Sequence, residues 1–221
     1  MSNPILLVAN GDIQNAEWLN SVLSREYTAI IGVDGGTNHL LDHHVTPDIV
    51  VGDLDSLNKE AIKILEENWV NIFSFSGNKD ETDLELALLY FANQPNWSEL
   101  SAVILGAHGG RLDHEIANLM LLTHPKLQNR KIQLINEHET TFLVTSSVDI
   151  HGRSGDTVSL IPLKGDAHME STTNLKWPLN NSVLKFGPAR GVSNIMTASK
   201  AAVSVRSGMV LCIHTESSWE R

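Results

Sequence analysis

The chain of 221 residues is 42% apolar and 19% charged, which is ordinary for a soluble protein with a packed core and excludes disordered and collagen-like classes. A formal net charge of -10 argues against a nucleic-acid groove, which wants clustered Lys and Arg, and fits a small anionic ligand held by a few placed cations. A single cysteine, Cys212, excludes an internal disulfide and a thiolate zinc cage and points to a reducing compartment.

The opening Met1-Ser2-Asn3-Pro4 carries no basic region, the apolar run over 5–9 is too short for a signal peptide, and no stretch approaches ~18 apolar residues. A cytoplasmic, soluble protein with no membrane span and no nucleic-acid partner is expected. In chain order, β-branched apolar runs predict strands at 5–9, 29–33, 49–51, 72–75, 102–105 and 132–135. Helical spacing fills the gaps at 15–26, 56–68, 82–92 and 113–122, and His43 and His44 read as a solvated helix end. The clearest helix is 82–92, where Leu84, Leu88 and Phe91 share a stripe with Ala87. This alternation predicts a doubly wound, Rossmann-like α/β domain over 1–136 with a mainly parallel sheet, because continuous apolar strands suit burial on both faces.

Beyond about residue 136 helical periodicity stops. Short alternating segments at 141–144, 158–162, 201–205 and 209–213 predict an all-β sandwich domain over 137–221. Val203 and Val205, then Met209, Leu211 and Ile213, keep a period of two across Arg206-Ser207-Gly208, which reads as a hairpin.

Polar clusters follow the predicted strands: Asn10-Gly11-Asp12, Asp34-Gly35-Gly36, Gly52-Asp53-Leu54-Asp55-Ser56, Lys79-Asp80-Glu81-Thr82-Asp83, and a run from Gly106 through Gly109, Gly110 and Arg111 to Asp113 and His114. In open parallel sheets ligands bind at the carboxyl ends of strands, so these loops are expected to share one crevice. Three of them carry five aspartates. Two carboxylates about 4 Å apart repel by about 4 kcal/mol at an effective dielectric near 20 unless a cation or proton intervenes, which suggests a divalent ion.

Asp53 and Asp55, two apart, point the same way in an extended segment and can share that ion. The competing reading has Asp53 starting a turn and Asp55 or Ser56 capping the next helix. Asp80 and Asp83 open a helix, where acids also serve the dipole and Thr82 equally the cap, but Lys79 beside them suits a phosphate. The glycine-rich run 106–110 resembles an anion cradle, although it lacks the Gly-Lys-Ser/Thr ending of a Walker A loop. Arg111 offers a bidentate phosphate contact, and Asp113 either a metal ligand or a proton acceptor. Cys212 reads as a buried small side chain, and Trp18, Trp69 and Trp97 as packing residues. The ten histidines show no ligand-spaced pair.

In order and spacing, Asp34-Gly35-Gly36, the Gly52 and Lys79 clusters and Gly109-Gly110-Arg111-Leu112-Asp113-His114 resemble the thiamine pyrophosphokinase family. Ser159-Leu160-Ile161-Pro162-Leu163, the stretch from Thr172 to Leu179 that holds Trp177, Gly191-Val192-Ser193-Asn194 and the closing β segment resemble that family's thiamine-binding domain. The resemblance implies transfer of the diphosphate of ATP to the hydroxyethyl oxygen of thiamine, giving thiamine diphosphate and AMP, with Mg2+. It also implies a homodimer whose thiamine pockets lie between the catalytic domain of one subunit and the β domain of the other. On that resemblance Asp53, Asp55 and Asp83 hold metal, Lys79 and Arg111 balance phosphate charge, and Asp80 or Asp113 aids metal binding or takes the proton. Asp34, Gly35 and Gly36 then shape the nucleotide site together with Gly109 and Gly110, and Ser193 and Asn194 meet the pyrimidine. Two places depart from the family pattern: Ile195 and Met196 follow Asn194 where an acidic residue is frequent, and His108 replaces a smaller or apolar residue.

The rival readings are a pyrophosphokinase for another heterocyclic alcohol, a non-catalytic nucleotide or thiamine sensor, and a metal-dependent nucleotide hydrolase. The β domain argues against the first and third. The clustered carboxylates argue against the second, since a binder has no need to tolerate their repulsion.

Overall fold

Runs of β-branched residues too short for helices form a parallel sheet in the first of two units. The computed structural model describes residues 2–75 and 79–218, and its chain divides into Met1–Glu137 and His138–Arg221. The strands of the first unit are β1 (Ile5–Val8), β2 (Ala29–Val33), β3 (Ile49–Gly52), β4 (Asn71–Ser74), β5 (Ala102–Leu105) and β6 (Ile132–Ile135). Their order is β6-β5-β1-β2-β3-β4, with every neighbouring pair parallel. The topology therefore switches at β1, flanked by β2 and β5.

Burial on both faces explains the unbroken apolar strands. Leu6 and Val8 of β1 pack in a cluster with Leu19, Val22 and Leu23, while Ile5 and Leu7 on the opposite face are also fully buried. The helices are α1 (Ala16–Leu23), α2 (Gly36–Asp42), α3 (Lys59–Glu67), α4 (Asp83–Ala92) and α5 (Leu112–Leu121). Leu84, Ala87, Leu88 and Phe91 of α4 are all buried, each large side chain contributing roughly 2 kcal/mol of apolar burial. Asn15, Asn58 and Thr82 cap α1, α3 and α4 through side-chain oxygens that accept the N–H groups of Trp18, Ala61 and Glu85. The Asn58 cap starts α3 three residues later than its apolar periodicity suggests, and α1 ends three residues early, at Leu23. Helix α2 has too few apolar residues to announce itself; it ends at Asp42 with His43 as its C-cap, and exposed His44 follows at φ 58°.

Trp69 corrects the packing expectation: it is 91% exposed at φ 56°, because the turn after α3 points it outward while Val70 takes the core contact. Trp18 packs against the α1 cluster, and Trp97 lies edge-on to Tyr90 and tilted to Phe91.

The second unit contains β7 (Glu139–Val144), β8 (Ser147–His151), β9 (Thr157–Thr173), β10 (Val183–Leu184), β11 (Asn194–Ile195) and β12 (Lys200–Thr215). It is β-rich and antiparallel, built around the long strands β9 and β12. The predicted hairpin at residues 206–208 does not form. Those residues lie inside β12, where the register against β9 shifts between Ser204 and Met209, so the segment is a bulge. The extra residues flip the alternation. Ala201, Val203 and Val205 face the core before the bulge, and Val210 and Cys212 after it, in place of Met209 and Ile213. One continuous strand thereby pairs with β8 through its first part and β7 through its last.

Candidate active site

The switch at β1 places three loops side by side, after β1, β2 and β5. The Gly11 N–H donates to the Gly106 carbonyl at 2.8 Å, which ties the β1 loop to the β5 loop. On the other flank α2 starts so close to β1 that a Cβ on Gly36 would lie 2.1 Å from the Val8 carbonyl oxygen. A Cβ on Gly52 would approach the Asp34 Cβ to 2.8 Å, so glycine lets the ends of β2 and β3 meet. Gly35 is buried with Gly36, so both shape this corner through their lack of a side chain.

That approach gathers Asp34, Asp53 and Asp55, whose carboxylate oxygens lie within 4.8 Å of one another. Asp34 is 9% exposed at φ 44°, and its Oδ1 is buried without a hydrogen-bond partner among the described residues. Asp53 is half-buried and Asp55 exposed. The Asp55 N–H donates to Asp53 Oδ1 at 3.2 Å across Leu54 at φ 67°, a turn that brings the two acids around together. Asn58, not Asp55 or Ser56, caps α3, so the capping role does not account for Asp55. Three hard carboxylate oxygens, one of them buried and unpartnered among the described residues, fit a small divalent cation. Sequence reasoning assigned Asp34 to the nucleotide site; its direction toward Asp53 depends on the contact at Gly52, which no local pattern reveals.

The Lys79 cluster behaves differently. Lys79 Nζ forms an ion pair with Asp83 and stands 5.6 Å from the Phe75 ring centroid. Asp83 is the first residue of α4, exposed Asp80 precedes the Thr82 cap, and neither belongs to the three-carboxylate group.

After β5, Gly106, Gly109 and Gly110 take left-handed φ values of 64°, 83° and 83°. Gly109 and Gly110 are exposed, and a Cβ on Gly110 would meet nothing within 4 Å, so its backbone is approachable from solvent. Helix α5 follows without a side-chain cap from Arg111. Arg111 grips Asp113 through Nε at 3.1 Å and Nη2 at 2.6 Å, and that hydrogen bonding holds the Asp113 carboxyl below its ordinary range. Paired in this way, Asp113 is a poor proton acceptor. His108 Nδ1 lies 3.4 Å from Glu115, and its Nε2 is buried without a partner among the described residues.

In the second unit Ser193 is exposed at φ 57°, and its N–H donates to Ser159 Oγ at 2.9 Å. Asn194 is 4% exposed. Its Oδ1 accepts the N–H groups of Trp177 at 3.0 Å and Ile195 at 2.9 Å, and its Nδ2 donates to the Trp177 carbonyl at 2.6 Å. The amide thus clamps the backbone of Trp177, whose indole is 52% exposed. Lys176 Nζ lies 4.9 Å from the centroid of that ring. From sequence Trp177 is only one member of the 172–179 stretch, because only the clamp shows that the backbone of an exposed tryptophan is fixed. Met196 is fully buried in the β core, so its side chain fills the interior and not a ligand pocket.

A family profile described as thiamin pyrophosphokinase, catalytic domain, matches residues 21–134, and one described as thiamin pyrophosphokinase, vitamin B1 binding domain, matches residues 140–210. The chain is 32% identical over 193 residues to thiamine pyrophosphokinase of Bacillus subtilis (strain 168), covering 86% of this chain and 88% of that one. It is 29% identical over 203 residues to thiamine pyrophosphokinase 1 of Oryza sativa subsp. japonica, covering 81% and 76%. The crystal structure of the Bacillus subtilis thiamine pyrophosphokinase superposes with a TM-score of 0.82 at 31% identity over 96% of this chain and 99% of that one. Yeast thiamin pyrophosphokinase shares the fold, with a TM-score of 0.78 at 19% identity over 98% and 87%.

Proposed function

The chain belongs to the thiamine pyrophosphokinase family, and from that premise we propose how its residues move the diphosphate of ATP onto the hydroxyethyl oxygen of thiamine to give thiamine diphosphate and AMP. The observation that carries the reading is the meeting of Asp34, Asp53 and Asp55 at the ends of β2 and β3. A hydroxyl must attack the β-phosphorus while AMP leaves, so the protein has to position phosphates, balance charge and accept one proton. A bound divalent ion, Mg2+ in this reading, would supply positive charge to offset that of the phosphates. Asp53, Asp55 and Asp83 would hold it.

Asp83 and Lys79 act as a pair, in which the carboxylate orients the ammonium toward phosphate. Gly109, Gly110 and the uncapped start of α5 offer backbone N–H groups to an anion, and Gly35 and Gly36 shape the nucleotide side. Arg111 exchanges Asp113 for a phosphate on nucleotide binding. That exchange releases the Asp113 carboxylate to assist metal binding or proton removal, with exposed Asp80 as the other candidate.

Thiamine recognition falls to the second unit. Ser193 presents a hydroxyl to the aminopyrimidine. Asn194 keeps one amide hydrogen beyond its hydrogen bond to the Trp177 carbonyl, and Trp177 offers an aromatic face suited to a cationic thiazolium ring. We also place the enzyme in the cytoplasm as a homodimer. Supporting the dimer is α5, which buries none of its residues and exposes Leu112, Ile116 and Met120 at four-residue spacing, a stripe that a second copy would cover. No helix among the described residues is long and apolar enough to cross a membrane.

The test is to incubate purified protein with ATP, Mg2+ and thiamine and to resolve the products. Thiamine-dependent AMP matched by thiamine diphosphate is the expected result. ADP, or nucleotide hydrolysis that ignores thiamine, refutes the assignment.

A further inference from the structure

His108 stands in the loop after β5, at the topological switch where open parallel sheets take their ligands. Its neighbours fix the backbone that carries it. The Gly106 carbonyl accepts the Gly11 N–H at 2.8 Å, the Ala107 carbonyl accepts Asn118 Nδ2 at 2.9 Å, and a Cβ on Gly11 would lie 2.4 Å from the His108 carbonyl oxygen. The β1 loop and α5 thus hold this segment between them. The His108 side chain is 13% exposed. Its Nδ1 lies 3.4 Å from Glu115 Oε1, and a carboxylate oxygen accepts, so Nδ1 carries the hydrogen of that bond. In the neutral ring Nε2 then bears the lone pair. That nitrogen is buried with no hydrogen-bond partner among the described residues, an unfavourable state for an acceptor until a donor meets it.

The donor that the surroundings favour belongs to a nucleoside. Phosphate oxygens are acceptors and do not satisfy Nε2 in this form. Gly109 and Gly110, the next two residues, offer the backbone N–H groups of the anion cradle, and consecutive Cα atoms are only about 3.8 Å apart. A ribose hydroxyl is joined to its phosphate through a short run of bonds and falls within that reach, whereas the amine of adenine lies beyond the sugar. Nε2 has almost no surface of its own, so a ligand meets it only when the adjoining segment shifts. Gly109 and Gly110 are exposed, and a Cβ on Gly110 would meet nothing within 4 Å, which leaves room for that shift.

We propose that His108 is a specificity-determining residue of the nucleotide site: its Nε2 accepts a hydrogen bond from a ribose hydroxyl, and Glu115 is the positioning residue that fixes the ring and its tautomer. The inference rests on the nucleotide reading of this loop and adds to it a residue and a preference for ribonucleotides over deoxyribonucleotides.

The test titrates the full chain calorimetrically, with Mg2+ and without thiamine, using ATP, 2′-deoxy-ATP, 3′-deoxy-ATP and purine riboside triphosphate, which lacks the amine. Wild type is expected to bind one of the two deoxy nucleotides roughly 10-fold more weakly than ATP. His108→Ala is expected to lose roughly 10-fold in ATP affinity and to prefer ATP over that deoxy nucleotide by less than ~2-fold, because the partner of the missing hydroxyl is already gone. His108→Phe keeps the bulk of the ring without an acceptor and is expected to behave as alanine does, while His108→Gln, with an amide oxygen to stand in for Nε2, regains part of the preference. Thermal melts check the fold of each variant.

A ratio of ATP to deoxy affinity in both His108→Ala and His108→Phe equal to that of wild type overturns the proposal, since a merely structural role lowers all the nucleotides alike. Equal wild-type affinity for ATP and both deoxy nucleotides overturns it too. A coupling that follows the purine analogue instead overturns the assignment to ribose. Wild type that binds no ATP removes the nucleotide reading itself, whereas ATP binding with no ribose effect at His108 sinks the inference alone.

Discussion

Replacing Asn194 by alanine removes a clamp and tests how the second unit presents its aromatic surface. The amide makes three hydrogen bonds, at 3.0, 2.9 and 2.6 Å, and two of them satisfy the N–H and carbonyl of Trp177. At about 1 kcal/mol net for each bond, the loss is about 3 kcal/mol, and more where water cannot reach the freed groups. For a unit of this size that corresponds to a fall in melting temperature on the order of 10 °C, readable by calorimetry of the full chain. Loosening Trp177 also weakens the stacking on thiamine proposed for it, so the thiamine KM is expected to rise roughly 10-fold or more while the ATP KM moves little. A direct pyrimidine contact by Asn194 would raise the thiamine KM too; the clamp adds the stability loss. A variant with wild-type melting temperature and wild-type thiamine KM would refute the clamp, and a larger change in the ATP KM would refute the assignment of thiamine to this unit.

Three further outcomes are expected. Asp55→Asn should lower thiamine-dependent AMP formation by at least ~100-fold and leave the melting temperature within about 2 °C, since Asp55 is exposed and among the described residues bonds only to its neighbours Asp53 and Ser56; near-normal turnover removes it from the metal site. Buried Asp156 concerns pH: burial pushes its carboxyl up, but the N–H groups of Ser217 and Arg153 and the His214 ring outweigh that and leave it below the ordinary value. A depressed carboxyl contributes stability above its unfolded value, roughly 3.9, and loses it as pH falls through the folded value. The stability advantage over Asp156→Asn should therefore be full at neutral pH and shrink on acidification below ~4; urea titrations showing a pH-independent difference contradict this. Burial pushes the Cys212 thiol up to about 12, so a thiol reagent at pH 8 should label it only after denaturant is added, and rapid labelling of the folded protein would contradict its place in the β core.

Much of the first unit was readable because its strands are continuous apolar runs and its loops carry charge. The run over 102–105 coincides with β5, and the stripe of Leu84, Leu88 and Phe91 is the buried face of α4. Helix ends were less readable, since Asn15 and Asn58 set them through local hydrogen bonds that override apolar spacing. In β12 a strict period of two suggested a hairpin, but the bulge changes which residues face inward without changing their composition. The candidate site divides in the same way. The acids Asp53 and Asp55 stand out as a pair, whereas the pairing of Lys79 with Asp83 and of Arg111 with Asp113 commits charges that the bare sequence leaves free.

By itself the sequence determined that a strand-helix layer precedes a β-rich region and that the chemistry belongs to loops after the strands, because apolar periodicity and turn residues act over a few neighbours. It also determined the family resemblance, carried by motifs in both regions. Only the tertiary structure decided that Asp34 joins Asp53 and Asp55, since that meeting needs two strand ends in contact through Gly52, and that Asn194 clamps Trp177 across a separation of 17 residues. Directions of buried side chains follow from which distant backbones touch, and no local pattern encodes them.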